Sequence, residues 1–92
     1  MTTLNIIIIM SVLKIGIIGL GYVGLPLARL FATKYAVVGF DINSNRVGDL
    51  KKGIDATQEV EDDLLKEVLK DVSNNENGLF ITADSAYLKE CN

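Results

Sequence analysis

The segment Gly19-Leu20-Gly21-Tyr22-Val23-Gly24, set between an apolar run and an amphipathic one, constrains this chain more than any other feature. Ahead of it, Lys14-Ile15-Gly16-Ile17-Ile18 is nearly continuous in β-branched residues. That is the pattern of a strand buried on both faces of a parallel sheet. Gly19 permits a sharp turn, and Gly21 lets backbone approach a bound group where a Cβ would intrude. Gly24 lets the next helix sit close to the strand. The spacing predicts a helix from Tyr22 to Lys34, with Val23, Leu27, Leu30 and Phe31 as its buried stripe. Pro26 falls in the first turn, where a missing N–H costs least.

A second apolar run, Ala36-Val37-Val38-Gly39-Phe40, ends on Asp41, and 41 − 19 = 22 residues separate this acid from the first glycine of the turn. Strand, glycine turn, helix, strand and acid, in that order, form the arrangement that binds a dinucleotide. The free N–H groups and positive dipole end of the helix face the pyrophosphate. The acid accepts hydrogen bonds from the ribose hydroxyls. A carboxylate there repels the 2′-phosphate of NADP, so NAD is the expected cofactor. The expected cofactor-binding residues are Gly19, Leu20, Gly21, Tyr22, Val23, Gly24, Asp41 and Arg46. Two positions keep a second reading: Asp41 as a helix cap or strand end, and Arg46 as a solvated surface arginine. In its binding role, Arg46 covers the adenine face or reaches a phosphate.

Further along, Asn43 or Ser44 is the expected N-cap of a short helix through Lys52, ended by Gly53. Val47 and Leu50 are its expected buried contacts, with Ile54 a further candidate. Thr57 is the candidate cap of another helix. Glu59, Glu61, Asp62 and Asp63 gather in its first turn, where they match the helix dipole and suit a solvated helix start better than a metal site. Leu64, Leu65, Val68, Leu69 and Val72 form its apolar stripe. Ser73 to Gly78 is a turn, Leu79 to Thr82 a third strand, and Asp84 or Ser85 caps a last short helix through Lys89.

About three strands in 92 residues make roughly half of a dinucleotide-binding sheet, which in full has six. The expected fold is therefore α/β, a Rossmann-like parallel sheet with flanking helices, present as an N-terminal βαβ half. Residues 1–11 read as an N-terminal extension, with Met10 an alternative start. Residues 12–92 read as a truncated NAD-binding domain without catalytic or substrate domains. Exposed edges of such a half-sheet favour self-association.

Nine basic against 12 acidic residues, the basic ones scattered, give no nucleic-acid footprint. The chain has no histidine, which removes histidine-based zinc sites and Ser-His catalysis from these residues. The single cysteine, Cys91, cannot form an internal disulfide; it reads as an incidental thiol and suits a cytoplasmic location. Leu4 to Leu30 carries only Lys14 and Arg29 as charges and is long enough to span a bilayer. Lys14 in the middle, four glycines from Gly16 to Gly24 and the β-branched bias argue against that reading.

Lys14-Ile-Gly-Ile-Ile-Gly-Leu-Gly-Tyr-Val-Gly-Leu-Pro-Leu-Ala28 resembles the opening of the UDP-glucose/GDP-mannose dehydrogenase family. Gly53-Ile-Asp-Ala-Thr-Gln-Glu-Val60 is more similar to the branch acting on UDP-N-acetylhexosamines in polysaccharide biosynthesis. The resemblance implies oxidation of a nucleotide-sugar C6 hydroxyl to a carboxylate, with two NAD reduced and a downstream cysteine as nucleophile. That cysteine lies in a glycine-histidine-cysteine motif with no counterpart here, so Cys91 does not inherit its role and these residues contain no expected catalytic group. The resemblance places Gly19, Gly21, Tyr22 and Val23 on the pyrophosphate, Asp41 on the ribose and Arg46 near the adenosine end. Two other readings stand beside it: an NAD-dependent dehydrogenase of the β-hydroxyacid type, and a non-catalytic nucleotide-binding or interaction module. The Leu25-Pro26 continuation favours the sugar family over the β-hydroxyacid type.

Overall fold

The computed structural model describes residues 13–92, so the extension expected over residues 1–11 lies outside the described residues. Three parallel strands, β1 (Lys14–Ile18), β2 (Ala36–Phe40) and β3 (Gly78–Thr82), lie in the order β1-β2-β3. Between β1 and β2 runs α1 (Gly24–Ala32); between β2 and β3 run α2 (Ser44–Lys51) and α3 (Asp62–Val68). A 3₁₀ helix (Ser85–Glu90) follows β3. This is the partial Rossmann-like α/β arrangement expected from the sequence.

The register sets the core. Ile15, Val37 and Leu79 are aligned across the sheet, as are Ile17, Gly39 and Ile81. These residues other than Gly39, together with Leu25, Ala28, Val47, Leu50, Leu65 and Val68, pack as one apolar cluster under the helices. Gly39 makes room for Leu20, whose Cδ2 lies 3.1 Å from where a Cβ would stand. On the opposite face the 3₁₀ helix covers the sheet, with the Tyr87 ring 4.9 Å from that of Phe80. Lys14, buried at the start of β1, fastens this segment through Glu90 at 2.8 Å and also donates at 3.0 Å to Ser73, whose hydroxyl donates to the same Glu90 carboxylate.

Several expectations are corrected. β1 is not buried on both faces: Gly16 and Ile18 are exposed, Ile18 at 75%. The fully lined strands are β2 and β3. α1 is shorter than Tyr22 to Lys34, and it buries Leu25, Ala28 and Ala32 while Val23, Leu27 and Leu30 face outward. Close packing decides this rotation. A Cβ on Gly24 would collide with the Gly19 carbonyl and meet Ile17 at 3.6 Å, so the Gly24-Ala28-Ala32 ridge is the one thin enough to face the sheet.

Ile54 is exposed, because the turn at Gly53 (φ +82°) directs the chain away after α2. Thr57 does not cap α3: it donates to Asp55, which also captures the N–H groups of Glu59 and Val60. Those captured donors delay the helix to Asp62, leaving Glu59 outside it. The apolar stripe also ends early. Leu69 turns extended and Lys70 donates to the Leu79 carbonyl, so the chain runs briefly beside β3; Leu64 and Val72 are exposed.

Candidate cofactor site

The site forms at the carboxyl ends of β1 and β2, where parallel strands leave a crevice in folds of this kind. Gly19 turns with φ +90°, a conformation open to glycine, and its N–H donates to the Phe40 carbonyl at 2.8 Å. A Cβ on Gly21 would meet no protein atom within 4 Å, so its backbone borders open space. Among the described residues, no acceptor takes the N–H groups of Gly21, Tyr22, Val23 or Gly24. The side chains of Tyr22 and Val23 are exposed beside them. A row of free donors at the start of a nine-residue helix is the environment an anionic diphosphate requires.

Asp41 reaches this turn. Its Oδ2 accepts from the Leu20 N–H at 2.9 Å and its Oδ1 from the Asn43 N–H at 2.9 Å. Each carboxylate oxygen keeps a further lone pair for a ribose hydroxyl. Of the two other readings of Asp41, the helix cap goes instead to Asn43, whose side chain accepts from the Arg46 N–H, while the strand end holds: the Asp41 N–H donates to the Thr82 carbonyl at 3.1 Å.

Arg46 turns inward. Its Nε and one terminal nitrogen donate to the Leu20 carbonyl at 3.0 and 2.6 Å, and the other terminal nitrogen meets Asp55 Oδ1 at 2.7 Å. Its side chain is 12% exposed, which excludes the solvated-arginine reading. Leu20 itself contributes no free backbone group: Asp41 holds its N–H, Arg46 holds its carbonyl, and its side chain is in the core.

Sequence reasoning passed over Asp55. Its side chain is fully buried and accepts five hydrogen bonds, from Arg46, from the Thr57 hydroxyl and from the N–H groups of Thr57, Glu59 and Val60. Burial alone would raise its pKa, but the bonds from Thr57, Arg46 and the Val60 and Thr57 N–H groups outweigh it and hold the carboxyl well below the usual carboxylate range. An Asp two residues before a Thr is an Asx-turn signal that the sequence does carry. Its partner across the turn, Arg46, is set by tertiary contact. Cys91 packs against Gly16, and burial pushes its thiol pKa up, the opposite of an activated nucleophile.

The family model for the UDP-glucose/GDP-mannose dehydrogenase family, NAD binding domain, matches residues 13–92. The chain belongs to this family. It is similar to the UDP-N-acetyl-D-glucosamine 6-dehydrogenase of Pseudomonas aeruginosa, with 57% identity over 58 residues, 63% of this chain and 14% of that protein. The protein of the same name from Salmonella typhi is 44% identical over 79 residues, 86% of this chain and 17% of that protein. The UDP-N-acetyl-D-mannosamine dehydrogenase of Methanococcus vannielii is 42% identical over 65 residues, 70% of this chain and 14% of that protein. The chain thus spans less than a fifth of the length of these relatives. No solved structure matches it significantly. Family membership makes NAD the cofactor of this domain and agrees with the free donors and the carboxylate described above. No helix among the described residues is long and apolar enough to cross a membrane.

Proposed function

We propose that residues 12–92 hold NAD for a nucleotide-sugar 6-dehydrogenase that oxidises the C6 hydroxyl of a UDP-N-acetylhexosamine to a carboxylate in the cytoplasm, for polysaccharide precursor synthesis. The oxidation removes four electrons and adds a water oxygen, so it consumes two NAD per sugar. The N–H groups of Gly21 to Gly24 bind the diphosphate, with Gly19 shaping the turn and Tyr22 and Val23 flanking it. Asp41 accepts from the adenosine ribose. Leu20 and Arg46 act from behind the turn by holding it in shape. The observation that carries this reading is the Asp41 carboxylate, bound to the Leu20 N–H beside four unpartnered donors. The names of the relatives support the choice of sugar nucleotide. Self-association through the outer edge of β1 belongs to the same reading.

Calorimetric titration with NAD and NADP tests the cofactor assignment. NAD is expected to bind more tightly, and Asp41→Ala to reduce NAD affinity about tenfold, the loss of a hydrogen-bonded charged acceptor. Equal affinity for the two dinucleotides, or tighter NADP binding, would sink the role given to Asp41.

A further inference from the structure

We infer that Asp55 is a specificity-determining residue for the cofactor: by holding the Arg46 guanidinium against the Leu20 carbonyl, it withholds from the crevice the cation that a 2′-phosphate would use. This rests on the cofactor reading above and concerns a residue that does not itself touch the cofactor. An arginine near the ribose acid is the usual means of accepting NADP. Its planar fork suits phosphate oxygens better than any other side chain. Arg46 stands in the right place for that role. Its N–H is bonded to Asn43 and the Asn43 N–H to Asp41, so it lies one helical turn from the ribose acid. Leu20 ties the two more closely, with its N–H on Asp41 and its carbonyl on Arg46.

What keeps the guanidinium from the crevice is a pair closed on the protein side. Nε and one terminal nitrogen are spent on Leu20 and the other terminal nitrogen on Asp55, at 3.0, 2.6 and 2.7 Å. The Asp55 carboxylate cannot follow Arg46 outward, because four further hydrogen bonds fix it in the 55–60 loop. A buried charge whose partner is removed is strongly disfavoured. Without the carboxylate, the guanidinium regains its hydration by swinging out of the turn on the α2 side, toward the ribose end. The device therefore has two halves. Asp41 presents a negative charge to the ribose, and Asp55 removes the positive charge that would offset it.

Affinities for NAD and NADP, measured by calorimetry on the chain and on Asp55→Asn, test the inference, with circular dichroism to establish folding. Asp55→Asn is expected to narrow the NAD-over-NADP ratio by about fivefold, the strength of one exposed charge contact. NADP affinity rises in absolute terms. Adding Arg46→Gln to Asp55→Asn restores the original ratio, since the freed cation is then gone. Asp55→Ser, whose hydroxyl can still accept from the loop N–H groups, is expected to act like Asp55→Asn and serves if the asparagine variant does not fold. An unchanged ratio in a folded variant, or a parallel fall in both affinities, overturns the inference and leaves the cofactor reading intact. Loss of folding in both single variants also overturns it, because Asp55 would then be required for the fold itself. An unaltered chain that binds neither dinucleotide removes the cofactor reading and this inference together.

Discussion

Asp55 joins stability to pH. Its folded carboxyl ionises well below the ordinary value near 3.8, so on acidification the unfolded chain takes up this proton first. The stabilisation from its ionised form is complete above about pH 5 and drains away as the pH falls through about 4 toward 2. Glu90 titrates in the same direction, lowered by hydrogen bonds from Lys14 and Ser73, so the informative quantity is a difference between two proteins. Urea midpoints recorded between pH 2 and 6 are expected to fall less steeply with acid for Asp55→Asn than for the unaltered chain. Parallel acid limbs would show that the carboxylate is not the group being titrated. At this scale the sequence marks Asp41 and the glycines clearly, because their backbone positions are local to a strand end and a turn. The role of Asp55 is not visible in it, because the guanidinium partner lies across the turn and only folding brings it near.

α1 shows how one element can be recognised and still be rotated wrongly. Val23, Leu27, Leu30 and Phe31 satisfy helical spacing, but so do Leu25, Ala28 and Ala32, since the segment Gly24-Leu25-Pro26-Leu27-Ala28-Arg29-Leu30-Phe31-Ala32 is apolar nearly all round. Periodicity cannot choose between two apolar stripes. The collision that a Gly24 Cβ would make with the Gly19 carbonyl can, because it fixes which ridge approaches the sheet. Ala28→Leu is therefore expected to destabilise by about 1–3 kcal/mol through overpacking. Leu30→Ala, at a position 58% exposed, is expected to change stability by no more than about 0.5 kcal/mol. Chemical denaturation of the two variants separates the stripes; a larger loss for Leu30→Ala would restore the stripe read from the sequence. α3 was displaced for a related reason. Its acidic residues mark a helix start, but hydrogen bonds to Asp55 hold the chain in a loop as far as Val60.

The described residues form a sheet with unequal edges. Beyond β3, Leu69 bridges to Leu79 and Lys70 donates to its carbonyl. Beyond β1, among the described residues, Asn92 alone pairs, accepting from the Lys14 N–H and donating to its carbonyl. The rest of that edge carries ladder groups with no partner among the described residues, beside the exposed Ile18. Unpaired strand edges recruit other chains. Light scattering over a range of concentrations is expected to show a mass that rises with concentration, and Ile18→Lys to suppress the rise by adding charge at the edge. A single monomeric species throughout would exclude association through β1.

By itself the sequence determined the order of elements, the glycine turn and the acid that follows β2. Each follows from backbone sterics or short-range periodicity, which a few neighbouring residues decide. Tertiary structure alone decided which face of α1 is buried, where α3 begins and where the Arg46 charge goes. Those outcomes depend on atoms far apart in the chain meeting at van der Waals or hydrogen-bonding distance, and no local pattern encodes such a meeting.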